Sequence, residues 1–92
     1  MAVYVDEAVW EWKGQKWCHL LADSLDELHT FAKQIGLKKA WFQEPPKTKY
    51  PHYDINESRR LVAIKKGAIE INRRDTILKA KALKDEYDHS AK

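Results

Sequence analysis

Two rhythms of apolar residues alternate along this chain. Short apolar runs with no helical period lie at residues 2–5, 17–22, 40–43 and 68–71, and stretches with apolar positions three and four apart follow the last three of them. Ala2-Val3-Tyr4-Val5 is mostly β-branched and aromatic and stops at Asp6, the composition of a short strand. Trp17-Cys18-His19-Leu20-Leu21-Ala22 is almost continuously apolar, as a strand covered on both faces is. Ala40-Trp41-Phe42-Gln43 and Ala68-Ile69-Glu70-Ile71 complete the predicted strands.

The helical stretches carry start and stop signals. Ser24 with Glu27 three positions on forms a capping box, Leu25, Leu28, Phe31, Ala32 and Ile35 make the apolar stripe, and Gly36 stops the helix. A second helix is predicted over 54–66, with Asp54 as cap, Glu57 as its box partner, Ile55, Leu61, Val62 and Ile64 as its apolar face, and Gly67 after it. Asn72 and Asp75 cap a third, whose apolar positions include Ile77, Leu78, Ala82 and Leu83. Beyond Lys84 the period is lost, which divides the chain into a domain at 1–84 and a fraying tail at 85–92. Residues 7–16, with Trp10, Trp12 and Gly14, read as a loop whose tryptophans fold back over the sheet. Residues 44–50 hold Pro45 and Pro46 and lead to Pro51, so they read as an irregular exposed loop.

Strand, then three strand–helix units, is an alternating α/β order. It predicts a small three-layer domain with a short, largely parallel sheet and three helices. Ligands of such sheets sit outside the carboxyl ends of the strands, here Asp6, Asp23, Ser24, Gln43 and Asn72.

Composition narrows the picture modestly. Ninety-two residues suffice for one core, and four Trp, four Tyr and two Phe supply it generously. The lone Cys18 excludes an intramolecular disulfide and any zinc site built on several cysteines, and it suits a reducing compartment. No apolar run has the length of a membrane span and no basic-then-apolar leader is visible, so the expected location is the cytoplasm and no membrane partner is expected. The net charge of +3 permits a nucleic-acid partner without demanding one.

The densest chemistry lies at residues 51–60, where His52, Tyr53, Asp54, Arg59 and Arg60 cluster at a predicted helix start. His52 with Asp54 or Asp6 has the makings of an acid–base pair. No nucleophile stands out, because Cys18 lies in an apolar strand and Ser24 is a cap. The histidines at 19 and 29 have apolar neighbours and lack ligand spacing, so they are read as structural, and neither a metal nor another cofactor is expected. Helix N-termini with Arg59, Arg60, Arg73 and Arg74 suit an anion, and Trp10, Trp12 and Tyr53 offer stacking surfaces. The reading is a phosphate-bearing ligand, a nucleotide or nucleic acid, with Arg59 and Arg73 on phosphate and His52, Tyr53, Asp54 and Gln43 around base or sugar. Two alternatives stay open: a module that grips a host protein through Trp, Tyr and Arg, and a small phosphoester hydrolase using His52 and Asp54.

The pieces AVYVD, KWCHLLAD running into SLDELHTFAKQIGL, WFQ, and HYDINESRRLVAIKKGA, in that order, resemble a family of short bacterial and phage proteins. That family is known only as domain of unknown function four-zero-three-one. The resemblance spans residues 2–83 and marks Asp6, His19, Ser24, His29, Phe42, His52, Tyr53, Asp54 and Arg59 as positions matching its pattern. It departs at residues 44–50, an insertion where family members often join the two flanking pieces more directly. The resemblance implies a bacterial or phage accessory protein and supplies no reaction.

Overall fold

The computed structural model describes residues 2–7 and 10–90. Its first event is a hairpin. β1 (Val3–Val5) and β2 (Trp10–Trp12) lie in line along one edge of β3 (Gln15–Ala22), both antiparallel to it. Lys13 and Gly14 close the turn with φ of 52° and 75°. Two consecutive positive φ values are what a two-residue hairpin turn requires to match the twist of its strands. The stretch expected as a tryptophan loop is therefore part strand: Trp10, Glu11 and Trp12 alternate with period two, and Gly14 supplies the turn.

β4 (Tyr53–Asn56) runs antiparallel to β3 on its other edge, and β5 (Ile69–Glu70) adds to β1 as a parallel neighbour. The result is a five-stranded mixed sheet that is mostly antiparallel. The expectation of a largely parallel sheet is overturned. Strands β2 and β3 are joined by a tight turn rather than a helical crossover, and only antiparallel strands can be joined that way. With the strands opposed, their carboxyl ends do not gather: Asp6 ends β1 near the middle of β3, whereas Asp23 follows β3 at the far end.

Three helices cover the sheet. α1 (Leu25–Gln34) and α2 (Glu57–Lys65) lie on the face that carries Cys18, Leu20 and Tyr53, all of them buried. α3 (Arg73–Ser90) crosses the face of Tyr4, His19 and Leu21, where Lys79 Nζ stands 4.7 Å from the centre of the Tyr4 ring. Burial pushes the Cys18 thiol up to about 12, with Asp6 adding to the shift, so it behaves as a small core residue.

Ser24 caps α1 as expected, accepting the Glu27 N–H at 3.2 Å and donating its hydroxyl to Glu27 Oε1 at 3.0 Å. Gly36 follows with φ of 85°. The second cap differs from the expectation: Asp54 lies within β4, and Asn56 caps α2 by accepting the Arg59 N–H at 2.9 Å. Residues 40–43, expected as a strand, form a 3-10 helix at Lys39–Trp41, and only Gln43 reaches the sheet, in a two-way bridge with His52. α3 continues to Ser90, through residues expected to fray.

Candidate functional site

Asp6, just past the end of β1, lies in one row with His19 of β3 and Asp54 of β4. His19 and Asp54 are register partners on β3 and β4, and Asp6 directly follows Val5, the partner of Leu20. His52 lies two residues before Asp54 and so falls on the same face, since side chains in extended chain alternate. Beyond Val5 the Asp6 backbone N–H donates to the His19 carbonyl at 3.4 Å. The Asp6 side chain holds His19 as well. Its Oδ1 accepts the His19 backbone N–H and its Oδ2 meets the His19 ring Nδ1, both at 2.6 Å. Arg60 Nε donates to the Asp6 carbonyl at 2.8 Å, and the Asp6 side chain is buried.

These partners settle which ring nitrogens carry protons. An ionised carboxylate and a carbonyl can only accept, so His19 Nδ1 donates to Asp6, and His52 Nδ1 donates to the Tyr50 carbonyl at 2.7 Å. The His52 Nε2 then faces Asp54 Oδ1 at 3.1 Å. That approach lies outside hydrogen-bond geometry, and Asp54 Oδ1 is buried with no hydrogen-bond partner. Burial opposes charge on His52, but Asp54, the Tyr50 carbonyl and Asp6 outweigh it and raise the imidazole above its ordinary value. The two imidazoles stand edge to face with centroids 5.0 Å apart.

Two cavities adjoin the cluster. A groove of about 810 Å³ runs along the outer edge of β4, lined among others by Trp12, Trp17, Trp41, Lys47, Asp54 and Arg59. Trp12 and Trp41 are 55% and 48% exposed, with Lys13 Nζ 4.5 Å and Lys38 Nζ 5.7 Å from their rings. A smaller cavity of about 190 Å³ lies over His19 and His52, walled by Tyr50, Thr48 and the α3 residues Thr76 and Ala80.

The residues singled out by sequence therefore divide. Asp6, His52 and Asp54 come together, and Gln43 is held against His52 by backbone hydrogen bonds. Tyr53 points to the opposite face, 1% exposed, its hydroxyl 2.8 Å from His29 Nδ1, so it offers no stacking surface. Burial raises the Tyr53 hydroxyl and lowers His29, which also packs edge-on against Phe42. Arg59 lines the groove, but its Nη1 donates to the Ile35 carbonyl at the end of α1. Arg73 opens α3, exposed, and lines neither cavity. His19, read as structural, joins the cluster, and Trp41 and Lys47 join the groove; both come from tertiary placement that local spacing does not encode.

The sequence model of a family described as "Protein of unknown function (DUF4031)" matches residues 3–83. The chain belongs to that family. No curated protein and no solved structure matches this DUF4031 chain. The matched span contains the whole row of Asp6, His19 and Asp54, together with His52 and the groove.

Proposed function

We propose that this DUF4031 protein is a bacterial or phage accessory protein that binds a phosphate-bearing aromatic ligand, a nucleotide or a short single-stranded nucleic-acid segment, in the groove along β4. One observation carries the reading: two half-exposed tryptophans, each with a lysine ammonium over its ring, line or flank the same groove as Lys47. Indole faces stack on any base, and ammonium groups track phosphates. Compared with the arrangement expected from sequence, the phosphate contacts pass from Arg59 and Arg73 to Lys13, Lys38 and Lys47, because Arg59 is occupied at α1 and Arg73 lies away from the groove.

The test is a tryptophan-fluorescence titration with mononucleotides and short single-stranded oligonucleotides over a range of salt. Quenching is expected, with an affinity that falls log-linearly at a slope of about −2 if three lysines meet phosphates. Trp12→Ala with Trp41→Ala should abolish it. A groove that ignores oligonucleotides at low salt and instead retains one stoichiometric protein partner at high salt would replace this reading with the protein-interaction one. Phosphoester hydrolysis is the second reading, favoured by Asp54 belonging both to the groove and to the histidine cluster.

A further inference from the structure

The sharpest unexplained feature of the molecule is the meeting of His52 and Asp54. With Nδ1 donating to Tyr50, His52 brings Nε2 to 3.1 Å from the carboxylate oxygen of Asp54. A proton on Nε2 makes the two an ion pair, yet Asp54 Oδ1 still has no partner in hydrogen-bond geometry. A divalent cation beside the two groups would give that oxygen a partner and take the imidazole nitrogen as a second ligand.

A third donor stands beside them. One donor atom each from His19, His52 and Asp54 lie within 4.8 Å of one another. Ligand atoms on a tetrahedral zinc with bonds near 2.1 Å are about 3.4 Å apart, so the three need only a modest closing movement. Each histidine also has the support that ligand histidines have: Asp6 holds His19 Nδ1 at 2.6 Å and the Tyr50 carbonyl holds His52 Nδ1 at 2.7 Å, so a metal would take Nε2 of each. Imidazole nitrogen with a single carboxylate suits a borderline divalent ion rather than calcium or magnesium.

We propose that His19, His52 and Asp54 form a site for a divalent transition-metal ion of the zinc class, with Asp6 and the Tyr50 carbonyl orienting the two imidazoles. Three protein ligands leave a fourth position for water or a ligand atom. The cavity of about 190 Å³ over His19 and His52 gives that position access, and Asp54 places the ion at the wall of the groove. The inference stands on this geometry and does not depend on what the groove binds.

The experiment uses the full chain, stripped with a chelator and checked by circular dichroism, titrated first with zinc(II) and then with cobalt(II). One equivalent should bind, cobalt should develop visible ligand-field bands, and zinc should displace it. Asp54→Asn and His52→Ala should remove stoichiometric binding, Asp6→Asn should weaken it roughly 10- to 100-fold, and His89→Ala, on the exposed end of α3, should leave it unchanged. Should a variant fail to fold, imidazole nitrogen NMR on the wild-type chain decides: zinc must shift Nε2 of His19 and His52 while both Nδ1–H signals persist. A folded wild-type chain that binds neither ion stoichiometrically, metal shifts confined to other histidines, or Asp54→Asn binding as tightly as wild type would overturn the proposal.

Discussion

Three aspartates in this chain show how far one residue type is governed by its neighbours. Asp6 holds His19 by its backbone and its ring, Asp54 presents an oxygen with no hydrogen-bond partner, and Asp23 ties the chain's start to the end of β3. Asp23 Oδ2 accepts the Ala2 N–H at 2.9 Å, and Oδ1 accepts the Tyr4 hydroxyl at 2.8 Å with Lys79 Nζ at 3.5 Å. The Tyr4 hydroxyl leads the effects that hold this carboxyl below its ordinary value. A depressed folded-state value means stability that is complete above the unfolded-state value and disappears as pH falls through the folded one. The side chain is partly exposed, so solvent screens the effect and it is modest. Urea midpoints measured from about pH 5 to pH 2 should fall less for Asp23→Asn than for wild type. Equal pH slopes would show that the Tyr4 contact contributes nothing to the acid side of the stability curve.

At the scale of elements, local chemistry made some features legible and left others ambiguous. Ser24 was readable because cap, box partner and apolar stripe agree on one start. Ser24→Ala should cost about 1 kcal/mol in chemical denaturation. The start of α2 was ambiguous, because Asp54 and Asn56 are both good caps two residues apart. The alternation of buried Tyr53 and Ile55 with Asp54 and Asn56 decides for a strand, and Asn56→Ala should therefore show a cap loss of similar size. Gly36 was legible as a stop but not as a neighbour. Its φ of 85° would cost an L-residue about 1–2 kcal/mol. An added Cβ would also stand 2.9 Å from Arg59 Nη1, whose group is fixed on the Ile35 carbonyl. Gly36→Ala should thus destabilise beyond the backbone term alone, and pairing it with Arg59→Ala should return part of that excess in a double-mutant cycle.

At the scale of the whole molecule, α/β class and three helices follow from the alternation of periods, whereas strand direction and the site depend on long-range pairing. The row of Asp6, His19 and Asp54 joins positions from the start, the first third and the middle of the chain, and only the register of β3 with its neighbours aligns them. The chain's end obeys the same logic. Residues 85–90 lack the apolar period, and polar contacts join two of them to the rest of the fold. Glu86 Oε2 accepts the Leu25 N–H at 2.8 Å, serving one of the unsatisfied donors at the start of α1, and the Tyr87 hydroxyl donates to Glu44 at 2.8 Å. The first of these spans 61 residues of sequence and closes α3 onto α1. A hydrogen bond to a charged group contributes about 1.5–3 kcal/mol. Ending the chain at Lys84 should therefore lower thermal stability by roughly 4–8 °C per kcal/mol lost. Glu86→Ala with Tyr87→Phe in the full-length chain should reproduce most of that fall. If the truncated chain melts with the wild type, the last turns of α3 are an appendage and the contacts to Leu25 and Glu44 contribute nothing. If truncation destabilises but the double substitution does not, the contribution comes from helix length rather than from these two contacts.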